Sequence, residues 1–143
     1  MQYVIFKRQD GGVSVMQHIK GDVKDCITRY LNEKPGSTYE ILSEPPKLPE
    51  NRLFRDAWGH ALEVRQDKAE EIHMSRIREK RNEKLKELDM EMMRNITQPD
   101  VLKVLEARKK DLRDIPQNFD VKLLDVKKPH KAWPKDLDLH EDY

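Results

Sequence analysis

The residues able to bind metal or form covalent bonds are few and scattered. Five histidines stand at positions 18, 60, 73, 130 and 140. A helical metal site needs two of them at i,i+4 spacing, so that both rings leave one face, and neither such a pair nor an HExxH run occurs. His73 has Glu70 and Glu71 nearby, but glutamate-rich helix surfaces are common. The histidines read as solvated or interfacial, and neither a metal nor any other cofactor is expected. The single cysteine, Cys26, allows no internal disulfide and no cysteine-based zinc site. It falls on the apolar stripe of a predicted helix with no His/Asn set placed to activate it, and so reads as a small core hydrophobe. No serine lies in a GxSxG elbow. Asp10-Gly11-Gly12 is turn chemistry, because neither glycine-rich phosphate fingerprint is present. With no catalytic constellation, the chain is not expected to be an enzyme.

Two further groups concern binding. Arg76, Arg78, Lys80, Arg81, Lys84 and Lys86 form the best nucleic-acid candidate, but Glu79, Glu83 and Glu87 interleave with them. A face of mixed sign fits a solvated helix better than a phosphate-binding surface. Met74, Met90, Met92 and Met93 fit packing gaps, although Met90 and Met93 lie off the main apolar stripe and suit a partner-binding surface.

The elements that must position these residues begin with two β-rich runs, Tyr3 to Phe6 and Val13 to Ile19, around Asp10-Gly11-Gly12. This is a hairpin signal, since primed turns need positive φ. Tyr3 and Ile5 share one face and Val4 and Phe6 the other, while Val13, Val15 and Ile19 are expected to line one face of the second strand. Asp22 caps a helix with Val23, Cys26/Ile27 and Tyr30/Leu31 on its stripe, and Lys34-Pro35-Gly36 ends it. Residues 37 to 43 read as a third strand. This unit is close to the lower size limit for independent stability, so it is expected to dock on the Phe54/Trp58 patch or on another subunit. Pro45, Pro46 and Pro49 make a stiff linker.

Beyond the linker, Gly59-His60 can turn the chain into a short strand over Ala61–Val64. Asp67 and Glu70 match a capping box for a helix from about Lys68 to Arg94, roughly 40 Å long. Met74, Ile77, Leu85, Leu88 and Met92 form its narrow stripe, interrupted by seven consecutive polar residues between Ile77 and Leu85. So thin a seam needs a partner helix. The next segment supplies one from about Gln98 to Asp114, with Thr97 as cap, Pro99 in the first turn and Pro116 as the stop. The short connection makes the pair antiparallel, burying Leu85, Leu88 and Met92 against Val101, Leu105 and Leu112. The part of the long helix around Met74 to Lys84 is left to overhang or to meet something else. After Pro116, Phe119, Val121, Leu123, Leu124 and Val126 are spaced like one extended strand. Trp133, Leu137 and Leu139 follow in a charged tail, unordered or laid across a neighbour.

The run LFRDAW, the helix DKAEEIHMSRIREKRNEKLKELDMEMMR and the ending KKDLRDIP resemble a module common in proteins of tailed bacteriophages and prophages. Phe54, Arg55, Asp56, Ala57, Trp58, Lys68, Ala69, Ile72, Ile77, Arg78 and Arg81 fit its first half. Leu85, Leu88, Asp89, Met93, Arg94, Lys109, Leu112, Arg113 and Asp114 fit the second, so the likeness covers roughly residues 48 to 116. The stretch between Arg81 and Leu88 is more charged than that pattern. The resemblance implies a virion- or tail-associated structural component and no known active site.

At 143 residues the chain is one domain's worth or a small domain with a helical extension. Charged residues make up 38% and hydrophobic ones 36%. That is too charged for a single well-filled core and too apolar for full disorder, so elongation or assembly is expected. Net charge is +1, which gives no electrostatic case for nucleic acid or membrane. The N-terminal stretch has no signal-peptide pattern, and no run approaches the ~18 apolar residues of a membrane span.

The expected fold is α+β: a ββαβ domain over 1–44, a Pro-rich linker over 45–52, a short β-hairpin plus an antiparallel helical hairpin with a long charged helix over 53–116, and an extended docking tail over 117–143. The expected function is that of a structural or adaptor component of a tailed phage particle (tail, neck, fibre base or capsid), made in the bacterial host cytoplasm and located in the virion. Its expected partners are other phage structural proteins or itself as a homo-oligomer, with no membrane and no nucleic acid. The alternatives are an assembly chaperone or scaffold that is not retained in the particle and a small nucleic-acid-binding protein. Candidate partner-binding residues are Phe54, Trp58, Met74, Ile77, Arg81, Met90, Met93, Trp133 and Leu137.

Overall fold

Val4-Ile5-Phe6 is apolar without alternation because its strand is covered on both faces, a pattern that a one-sided sheet would not tolerate. In the computed structural model, which describes residues 1–143, the elements are β1 (Gln2–Lys7), β2 (Val13–His18), α1 (Val23–Glu33), β3 (Thr38–Leu42), α2 (Gln66–Arg94) and α3 (Pro99–Asn118). Single 3-10 turns lie at Arg55–Ala57, Val121–Leu123 and Pro129–Lys131. The chain is α+β and divides into two compact units, Met1–Lys68 and Ala69–Tyr143. The expected division into four segments is thereby redrawn. The Pro-rich stretch and the LFRDAW run belong with the sheet, and the tail belongs with the helices.

In the first unit the sheet order is β2-β1-β3, antiparallel throughout. On one face Val4 and Phe6 pack against Ile27 of α1, with Met16, Val23, Tyr30 and Leu31 around them. The Phe6 and Tyr30 rings stack 3.8 Å apart, and the Tyr30 hydroxyl donates to Ser14 Oγ at 2.8 Å. On the other face Ile5 and Val13 pack against Trp58, joined by Val15, Leu42, Leu48, Leu62 and Val64. The Trp58 indole, held by the 3-10 turn before it, is thus the second lid on the sheet.

Local details depart from the sequence expectations for identifiable reasons. The β1–β2 connection is not a two-residue primed turn. Five residues separate Lys7 from Val13, positive φ falls on Gly11 at 84°, and the Asp10 carboxylate accepts from the Gly12 N–H at 2.7 Å. Ile19 lies past the end of β2 and is exposed, so it does not share the Val13 and Val15 face. Residues 61–64 form no strand. The segment makes one bridge between Trp58 and Val64, around a turn in which Leu62 takes φ 58°. Asp22 caps α1 as expected, accepting from the Lys24 N–H at 2.9 Å.

In the second unit α2 and α3 form the antiparallel hairpin. Met74, Ile77, Leu88, Leu105, Leu112 and Leu137 make its core, flanked by Leu85, Met92, Val101, Ile115 and Phe119. Asp67 lies inside α2 rather than at its cap, and Gln98, with no side-chain cap bond, replaces Thr97 as the residue preceding α3. Pro116 does not stop α3, which continues to Asn118 and closes with Phe119 N–H donating to Ile115 O at 3.0 Å. Burial of Ile115 and Phe119 against the hairpin core holds this last turn despite the donor that proline lacks. The expected strand after residue 118 is absent, and 3-10 turns carry the chain back along α2. No helix is long and apolar enough to cross a membrane.

Candidate functional site

The returning tail accounts for the part of α2 that α3 leaves bare. At 29 residues against 20, α2 outruns its partner helix, and residues 132–143 cover the difference. His73 is 0% exposed. Its Nε2–H donates to the Ala132 carbonyl at 2.6 Å, which leaves Nδ1 to accept from the Tyr143 hydroxyl at 2.5 Å. Burial, and secondarily the charge of Arg76, holds its pKa below the usual histidine value, although the Ala132 bond opposes this, and the ring is neutral at pH 7. The Arg76 guanidinium lies 5.3 Å over the Tyr143 ring. Lys80 pairs with Glu141 and Glu83, and its pKa is raised chiefly by the Glu141 bond. His140 Nε2 lies 3.1 Å from Glu79 Oε2. Trp133 Nε1–H donates to the carbonyls of Leu137 and Asp138. This network fastens the tail along α2. His73, read from sequence as solvated or interfacial, is instead an internal hydrogen-bonding post.

The candidate partner-binding residues divide accordingly. Phe54, Trp58, Met74, Ile77 and Leu137 are buried and Trp133 is half-buried, which removes them as exposed anchors. The apolar surface they bring is spent on the chain itself. Arg81 is half-buried, with its guanidinium bonded to Asn82 Oδ1. Met90 and Met93 stay on the surface, 57% and 75% exposed, on the side of α2 away from the hairpin seam. Ile96, in the helix–helix turn, is 70% exposed, and Val104 on α3 is 55% exposed. Sequence periodicity singled out the two methionines and missed Ile96, whose signal was an isoleucine among the polar residues of a turn.

Two other groupings escaped the sequence. Cys26 Sγ lies 3.7 Å from His18 Nδ1, and His18 Nε2 donates to Gly21 O at 2.9 Å, turning the ring's lone pair toward the thiol. Cys26 is therefore half-buried beside an imidazole, not sealed in a core, but the contact is one long thiol–imidazole bond with no further reactive group. A spacing of eight residues across a strand–helix turn has no linear signature. Between α2 and α3 a cavity of about 590 Å³ is floored by Leu88 and Leu112 and rimmed by charges of both signs, among them Glu91, Arg94, Arg108 and Asp111. Half of the basic run of α2 is matched in ion pairs: Arg76 with Asp142, Lys80 with Glu83 and Glu141, and Lys84 with Glu87. No group of three or more His, Cys, Asp or Glu side chains is placed to hold a metal ion. No family model, curated protein or solved structure matches the chain.

Proposed function

We propose that this chain is a structural or adaptor component of a tailed phage particle, acting by protein–protein assembly through the turn end of its helical hairpin. The observation that carries the reading is the exposure of Met90, Met93 and Ile96 around that turn. Three flexible or branched apolar side chains there lose more by facing water than by packing on a partner, and methionine adapts to an irregular partner surface. The resemblance of residues 48 to 116 to a phage and prophage module supplies the biological setting. The partner is another particle protein or a second copy.

The test is mass spectrometry of purified particles, paired with Met90→Ser/Met93→Ser. Retention of the wild-type chain and loss of the double variant, at unchanged melting temperature, is the expected result. Equal incorporation of the variant removes the hairpin end as the assembly surface. Absence of the wild-type chain from particles, with capture of a tail protein in the producing cell, favours instead an assembly chaperone that leaves. The same adaptable methionines would serve that role.

A further inference from the structure

The unused chemistry of the first unit lies under its Pro-rich stretch. A cleft of about 290 Å³ opens beside the sheet, lined by Tyr3, Val13 and Val15 of the strands and by Pro46 and Leu48 of the Pro-rich stretch. Trp58, Arg52, Arg55 and the polar Gln17 also line it. Three features distinguish this cleft from a packing defect. No lining side chain is a carboxylate. Arg52 and Arg55 are exposed and neither takes part in an ion pair or side-chain hydrogen bond. The indole N–H of Trp58, a residue only 4% exposed, has no acceptor. Buried donors are ordinarily satisfied, and one that is not calls for an explanation.

We propose that this cleft is a binding site for a carboxylate carried on a small apolar or aromatic body. The apolar walls take the body, the two guanidiniums take the anion in charge-assisted hydrogen bonds, and the Trp58 N–H supplies a third donor. Because Nε1 is sealed from water, the ligand reaches it by displacing the side chains that cover it. The volume sits at the small end of ligand sites, which limits the body to one ring or a short branched chain. A free small acid and the carboxyl end of a peptide share this chemistry. The site is independent of the assembly reading above, since none of its residues lies in the helical hairpin.

The experiment is a titration followed by the indole N–H resonances of the full chain, with Trp58→Phe identifying the relevant peak. Phenylacetate is expected to move the Trp58 signal and leave Trp133, already bonded to two carbonyls, in place. Phenylacetamide, equal in shape and uncharged, is expected to bind at least tenfold more weakly. Arg52→Gln and Arg55→Gln, both at exposed positions, are each expected to weaken phenylacetate by about tenfold, the equivalent of ~1.4 kcal/mol, at unchanged melting temperature. A tetrapeptide ending in phenylalanine, compared with its terminal amide, distinguishes the sources. Tighter binding of the acid peptide than of phenylacetate assigns a chain end, and the reverse assigns a free acid. A Trp58 signal that neither acid moves, equal binding of phenylacetamide, or arginine variants that bind normally would each overturn the proposal.

Discussion

Leu137→Ala tests whether the tail is part of the second unit's own core. Leu137 is 6% exposed and belongs to the cluster of Met74, Ile77, Leu88, Leu105 and Leu112. The substitution removes three carbon atoms from that cluster and leaves a cavity. Buried leucine truncations cost ~2–5 kcal/mol depending on how far the surroundings collapse. Leu137 sits in an irregular segment that can settle inward, so the lower half of the range applies, about 2–3 kcal/mol. For a unit of this size each kcal/mol lowers the melting temperature by ~4–8 °C, giving a fall of roughly 10–20 °C by far-UV circular dichroism. Where the tail opens locally before global unfolding, tryptic cleavage at Lys131 and Lys135 should accelerate by roughly 30- to 150-fold, the same free energy read as a population. A variant that melts within a degree or two of wild type, and is cut no faster, would refute the argument and return the tail to the role of an arm for a neighbouring molecule.

Three further expectations follow from the packing and the caps. Leu88→Ala, at the centre of the α2–α3 seam, should cost ~2–4 kcal/mol in chemical denaturation; an unchanged midpoint contradicts the hairpin. His73 has a folded pKa below its unfolded value, so below about pH 6.5 the unfolded chain takes a proton that the folded unit refuses. Its stabilising effect is complete above that pH and fades as pH falls toward the folded pKa, with a slope of at most ~1.4 kcal/mol per pH unit. His73→Gln, which keeps a donor for Ala132, should flatten that part of the wild-type melting-temperature profile between pH 6.5 and 5; identical profiles exclude the mechanism. Asp22→Ala removes the acceptor for the Lys24 N–H and should destabilise the first unit by ~1 kcal/mol in urea, whereas Asp25→Ala, within the helix, serves as the comparison.

Much of the architecture is written in local signals. The hairpin around Gly11, the Asp22 cap and the apolar periodicity of α2 and α3 each act over a few residues, and each is found where its chemistry puts it. What escaped is non-local. Nothing near Trp133 or Leu137 in sequence states that their cover is the first half of α2, 60 residues earlier, so a tail rich in charge read as an arm for something else. Pro116 misled for the same reason: its local preference to end a helix is outweighed by burial of Ile115 and Phe119. Of the candidate surface residues, periodicity separated Met90 and Met93 from the seam correctly, but aromatic and aliphatic character alone did not separate Phe54, Trp58 or Leu137 from the core. The Cys26–His18 contact and the cleft beside Trp58 depend on a strand meeting a helix or a loop, and no spacing rule encodes either.

The double covering of β1 has a consequence for how the first unit finds a single alignment. In a one-sided sheet, sliding a strand by one residue throws its oily positions into water, and that penalty keeps the register. Here a slip would exchange Ile5 for Val4 and Phe6 between two interiors that are both dry, so greasiness alone discriminates weakly. The alignment must instead be dictated by the connector. Arg8 bonds Ser14 Oγ at 2.8 Å and Asp10, and its N–H closes on Gly12 O at 2.9 Å, contacts that survive no shift. Crowding Gly11, at φ 84°, with a side chain should therefore blur which pairing forms before it loosens either interior, giving extra amide resonances from the strands while the helices report one state.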